Sequence, residues 1–106
     1  KKHFDNWITI AQIFEKHYQK EQNSERKKQI LAYIIDYKDL TLLMNWKAQK
    51  NEELWKYSYE AYKKLASLAF ADYLSSEFSK EIKKKNFLQN LPTDLGYKIF
   101  RKRFGS

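Results

Sequence analysis

His3 and His17 are the only histidines of the chain, and fourteen residues separate them. A protein metal site needs imidazole, thiolate or carboxylate ligands at a short helical or loop spacing, such as two histidines four residues apart with an acid beside them. Neither histidine has that company. The chain has no cysteine, which removes disulfides, thiolate ligands and a cysteine nucleophile together. Ser75, Ser76 and Ser79 lack the glycine-flanked turn that presents a serine nucleophile. The two glycines, Gly96 and Gly105, are isolated, so neither a phosphate loop nor a dinucleotide fingerprint is present. Arg26 is followed by no histidine at the four-to-six-residue spacing of helical nucleases. Glu52-Glu53 and Asp36 with Asp39 come nearest to paired carboxylates, but acids at a helix start and an aspartate cap account for both. The expectation is a protein without enzymatic activity, metal or cofactor.

Charge is the stronger signal. The formal net charge is +8, and Ser79 to Ser106 holds eight Lys or Arg against two acids. Lys83, Lys84 and Lys85 form one cluster and Arg101, Lys102 and Arg103 another, with Phe87, Tyr97, Phe100 and Phe104 among them. Cations neutralise a phosphate backbone, and aromatic rings offer stacking faces. A third cluster, Arg26, Lys27 and Lys28, falls where a second helix begins, so it adds positive charge to the positive pole of that helix. The nine residues are the expected nucleic-acid contacts, to RNA or DNA, through the backbone. Lys outnumbers Arg 18 to 3, as AT-rich codons would produce in any protein, so part of the basicity reflects codon usage.

The elements that must carry these residues read as helices. Two glycines and one proline leave few tight turns, and 42% hydrophobic residues with 18 aromatics suffice for one core. Phe4, Trp7, Ile8, Ala11, Phe14 and Tyr18 recur at steps of three and four, which predicts a first helix over about 5–22. Asn23-Ser24 supplies a break and a cap before a second helix over about 25–37, striped by Ile30, Leu31, Ile34 and Ile35. Asp39 caps a short third helix over about 40–50, with Leu40, Leu43 and Met44 inward and an inward Trp46 as one alternative. Asn51, followed by Glu52-Glu53, starts a long central fourth helix over 51–78 that Ser75-Ser76 ends or bends. The pattern resumes through Ile82, and Pro92 opens a last short helix with Leu95, Ile99 and Phe100. The fold class is therefore all-α, a single-domain bundle of four to five helices over 1–106 with a long fourth helix, a larger parent protein being left open. Phe14, Ile34, Leu65 and Ala69 are expected in its core.

Leu91-Pro92, Leu95 and Ile99 resemble the LPxxL…I opening of the F-box, a helical motif that docks on ubiquitin-ligase adaptors. The resemblance covers about ten residues of the chain, and no function is carried over from it. Aromatics are dense from 46 to 62, more than one inward helix face uses, so Trp46, Trp55 and Tyr59 are expected to form an exposed patch for a protein partner or a second copy. The rival to nucleic-acid binding is thus a protein-interaction module for oligomerisation, scaffolding or inhibition. No apolar run approaches the roughly 20 residues needed to span a bilayer, and the lack of cysteine and of a signal-peptide core favours a cytoplasmic setting.

Overall fold

The computed structural model describes residues 2–49 and 51–104, and the side chains of 5–47 and 51–103. Among the described residues six helices follow one another: α1 (Lys2–Lys20), α2 (Ser24–Gln49), α3 (Glu52–Lys63), α4 (Phe70–Leu74), α5 (Lys80–Gln89) and α6 (Thr93–Phe104). No strand occurs among the described residues. Three starts follow from single polar side chains. Asn23 Oδ1 accepts from Arg26 N at 3.0 Å, Asn51 Oδ1 from Leu54 N at 3.0 Å and Ser79 Oγ from Ile82 N at 3.1 Å, each satisfying a first-turn donor.

The expected second and third helices are one. Between 24 and 49 no glycine or proline interrupts, and Asp39, expected as a cap, sits within the helix with its carboxylate 3.9 Å from the Lys85 amine. The fourth helix is correspondingly shorter than expected. It ends at Lys63, and 64–69 runs as an irregular connection although it contains no glycine or proline. Side chains distant in sequence hold that connection open. The Lys38 amine donates to the Ala66 carbonyl at 2.9 Å, Ala66 N donates to the Glu15 carboxylate, and Leu68 N donates to Asn86 Oδ1 at 3.0 Å. Three bonds from α1, α2 and α5 replace the helical partners that these backbone groups would otherwise have. The long helix is therefore α2, not the fourth.

Helices α1 and α3 both run antiparallel to α2. Phe14 packs on Tyr33 and Tyr37 at centroid distances of 4.9 and 5.5 Å, and the Tyr37 hydroxyl donates to the Trp7 carbonyl at 3.1 Å. On the other flank the Thr41 and Tyr62 hydroxyls are 2.6 Å apart, and Asn45 Nδ2 donates to Ser58 Oγ at 3.0 Å. Helix α5 lies parallel to α2, tied by Gln89 Nε2 to the Ile35 carbonyl at 2.8 Å and by the Lys28–Glu77 ion pair at its entry.

Two apolar clusters divide the interior. Leu31, Ile35, Leu68, Phe78 and Ile82 fill the α2–α5 end, while Ile8, Leu42, Trp46, Trp55, Tyr59, Tyr62 and Tyr97 fill the end shared with α3 and α6. Ile34 is fully buried as expected, but Phe14 and Leu65 are half-buried and Ala69 is exposed as the residue before α4. Leu40 and Met44, expected inward, are 55% and 43% exposed, because as a continuation of α2 they lie opposite its core face.

Candidate nucleic-acid interface

Placement of the basic helix α6 starts with aromatic packing. Trp55 stacks on Tyr59 with centroids 4.8 Å apart and planes 17° from parallel. Against this pair α6 sets Tyr97, 5.5 Å from Trp55, and Phe100, 4.9 Å from it, while Trp46 meets the same two rings at 5.9 and 6.4 Å. Trp46, Trp55 and Tyr59 are 7, 1 and 1% exposed, which corrects the expectation of a partner-binding patch: the aromatic surplus is used to dock α6. The Tyr59 hydroxyl donates to the Leu88 carbonyl at 2.6 Å and accepts from Leu91 N at 3.0 Å, so one side chain fixes the turn that leads into α6. Gly96 permits the approach. A Cβ there would lie 2.6 Å from the Tyr59 hydroxyl oxygen.

With α6 so fixed, its outer side forms one wall of a groove of about 720 Å³, opposite the first turns of α3. The lining is cationic, with Lys56, Lys98, Arg101 and Lys102 against Glu52 and Asp94. Lys56 is already committed, at 2.8 Å from Glu52 and 2.7 Å from Asp94. Those two carboxylates hold its amine above the ordinary lysine value, and Lys56 in turn holds Asp94 below the ordinary carboxylate value. Arg101 and Lys102 are exposed and make no ion pair with the described residues, and Lys98 makes none either. Three cations thus face solvent from one helix edge. Lys56 and Lys98 were not among the expected contacts; their spacing to Arg101 and Lys102 at helical steps, 98–101–102, was the signal available for Lys98.

The other expected residues divide. Lys85 bonds to Asp36 at 2.7 Å and lies 3.2 Å from Glu81; these acids raise its amine above the ordinary value. Burial pushes the Asp39 carboxyl up, while Lys85 and then Arg103 pull it back, so the α5 and α6 clusters meet at this acid. Lys83 donates to the Ser75 carbonyl at 2.6 Å, closing α4 onto α5. Lys84 is exposed without a partner among the described residues. At the far end of α2, Lys27 sits 4.7 Å over the Tyr18 ring, Lys28 pairs with Glu77, and the Arg26 side chain has no partner among the described residues. From residue 28 to residue 36 is about 12 Å of helix, so this third cluster stands apart from the other two.

The nine residues therefore do not make one uninterrupted basic face. Of the interleaved rings, Phe87 is 59% exposed, whereas Tyr97 is buried and Phe100 half-buried in the aromatic docking contact. The side chains of His3, Phe4 and Phe104 lie outside the described ones. His17 is exposed, and no group of three or more metal-ligating side chains is assembled among the described residues. No described helix is long and apolar enough to cross a membrane. Comparison with protein-family models, with curated proteins and with solved structures finds no match to this chain.

Proposed function

We propose that the domain is a non-enzymatic nucleic-acid-binding module that contacts the phosphate backbone through the outer edge of α6, within a larger complex. The observation that supports this most is the set Lys98, Arg101 and Lys102 along one wall of the 720 Å³ groove, none bonded to a carboxylate of the described residues, although Lys98 also draws on Asp94. Cations already bonded to carboxylates exchange one anion for another on binding, whereas unpaired ones add attraction outright. Lys84 extends the contact along α5, and Arg103 joins it beside Asp39. With Tyr97 and Phe100 turned inward, the edge offers charge rather than stacking, which suits backbone contact without sequence preference. Lys27, Lys28, Lys83 and Lys85 act mainly as braces of the fold in this reading.

Fluorescence anisotropy with labelled single- and double-stranded RNA and DNA at low salt tests it. Binding with little sequence preference is expected, weakened by Arg101→Ala with Lys102→Ala. No binding at micromolar protein would overturn it. The rival, a protein-interaction module without a nucleic-acid role, retains one observation of its own: Phe70 and Leu74, one turn apart on α4, are 80% and 77% exposed.

A further inference from the structure

Helix α2 is apolar on two opposite faces. Its inner face supplies Leu31, Ile35, Leu42 and Trp46 to the two clusters and buries Ile34 as well. Its outer face carries Tyr33, Leu40 and Met44, with the half-buried Ile30 and Tyr37 on the edge toward α1, and the five are separated in sequence by steps of three, four, three and four residues. That alternation keeps side chains on one slightly winding line and is the spacing with which a helix meets a partner helix lengthwise. Tyr33, Leu40 and Met44 are 52, 55 and 43% exposed. Helix α1 borders the line with Phe14, whose ring lies between Tyr33 and Tyr37, and Ile10, 39% exposed, continues the apolar surface. Helix α3 packs against both α1 and α2 from the core side, and on the side away from α3 no described helix lies over the α1–α2 groove. A helix with only one buried stripe ordinarily carries polar groups on the opposite face.

The same line continues into charge at both ends. Arg26, Tyr33, Leu40 and Lys47 follow at intervals of seven residues, and neither Arg26 nor Lys47 has an ion pair among the described residues. On α2 the acid beside this line, Asp36, is bonded to Lys85 at 2.7 Å. A second copy of the chain would meet like charge in either direction. Antiparallel pairing brings Arg26 toward Lys47, parallel pairing sets each against its own equivalent, and both chains carry +8.

We propose that the outer α2 face, with the flank of α1, docks an amphipathic helix of a protein partner that carries acidic residues near both ends. Residues 26 to 47 span about 32 Å along the helix, so the occupant is about 20 residues long. Its apolar stripe covers Tyr33, Leu40 and Met44 and its terminal acids reach Arg26 and Lys47, a helix-in-groove mode. The surface is separate from the α6 groove and stands whether or not that groove binds nucleic acid.

The probe is a labelled synthetic helix of that length, with leucines at three- and four-residue steps and glutamates in its first and last turns, titrated with the full chain. One-to-one micromolar binding is expected, at least about tenfold weaker for Leu40→Gln, since truncating a central anchor costs this much or more. Arg26→Glu with Lys47→Glu weakens it several-fold, and Arg101→Ala with Lys102→Ala leaves it unchanged. Both Leu40 and the terminal pair are exposed, so circular dichroism of the variants stays that of the wild type. Absence of binding, equal binding by Leu40→Gln, or equal binding of a peptide with lysines in place of its glutamates overturns the proposal. Sedimentation showing self-association that Leu40→Gln abolishes would also overturn it, assigning the face to a second copy.

Discussion

Lys38 is a lysine held inside the fold, 1% exposed, with its amine on the Ala66 carbonyl at 2.9 Å. Burial lowers its pKa from 10.5 to about 8, and Glu15 only partly opposes this. At about 1.4 kcal/mol for each factor of ten, the protonated amine costs the folded state about 3 kcal/mol. Below pH 8 Lys38 is charged in both states and the cost is complete. Between pH 8 and 10.5 the folded protein has released a proton that the unfolded chain keeps. The unfolded state then binds more protons, so stability rises with pH. The window narrows as pH approaches 10, because burial raises the Tyr18, Tyr37, Tyr59 and Tyr62 phenols and a hydrogen bond to Asp5 raises Tyr57, so the unfolded chain ionises its tyrosines first and offsets part of the gain. Urea melts at pH 7.5 and 9.5 should differ by about 1–2 kcal/mol, the more alkaline protein being the more stable. In Lys38→Met the apolar stem remains and the titrating amine is gone, so the difference should vanish. A wild-type stability that is flat or falls between these pH values, or a slope that survives in Lys38→Met, would refute the argument.

Three further substitutions test the packing. Gly96→Ala forces a Cβ to 2.6 Å from the Tyr59 hydroxyl oxygen and should cost about 1–3 kcal/mol in urea melts; no loss would mean that Tyr59 does not pin the α5–α6 turn. Asn86→Ala strands the buried Leu68 N–H and should cost about 1–3 kcal/mol with faster amide exchange across 64–69, whereas unchanged exchange there would contradict the role given to this bond. Trp55→Ala, which empties the centre of the aromatic contact, should cost about 3–5 kcal/mol, while a surface anchor would leave the thermal midpoint in place.

Much of the helical architecture was legible locally. The apolar spacing located α1, and Asn23 and Asn51 mark starts that are visible in the sequence because a cap is a contact within one turn; Ser79, which caps α5 in the same way, was passed over. The boundaries that were missed depend on contacts across the fold. Nothing between 64 and 69 breaks a helix by propensity; Glu15, Lys38 and Asn86, far away along the chain, break it by taking its backbone groups. Asp39 looked like a cap for the opposite reason, since its partner Lys85 lies in another helix. Splitting α2 there gave each half its own inward face and turned Leu40 and Met44 toward the core, whereas a continuous helix turns them out.

The basic residues were legible as types but not as free or engaged. Lys85 and Lys84 are neighbours in sequence, yet Asp36, Asp39 and Glu81 surround only the first. The aromatic density around Trp46, Trp55 and Tyr59 was read as more than one helix face uses, but Trp55, Tyr59 and Tyr62 share one buried face of α3 and Trp46 comes from α2. The partner of these rings was the chain's own α6, which local periodicity could place only as a helix and not as the ring-bearing lid of that cluster.

Nucleic-acid binding through α6 is tested most directly by the salt dependence of affinity for one labelled oligonucleotide, measured for the wild type and for Arg101→Ala with Lys102→Ala. Each phosphate neutralised contributes about 0.7–0.9 to the slope of log affinity against log salt. The account predicts a negative wild-type slope whose magnitude falls by roughly 1.4–1.8 in the double variant, with helical content unchanged. An identical slope in the two proteins, or no binding by the wild type at low salt, would contradict it.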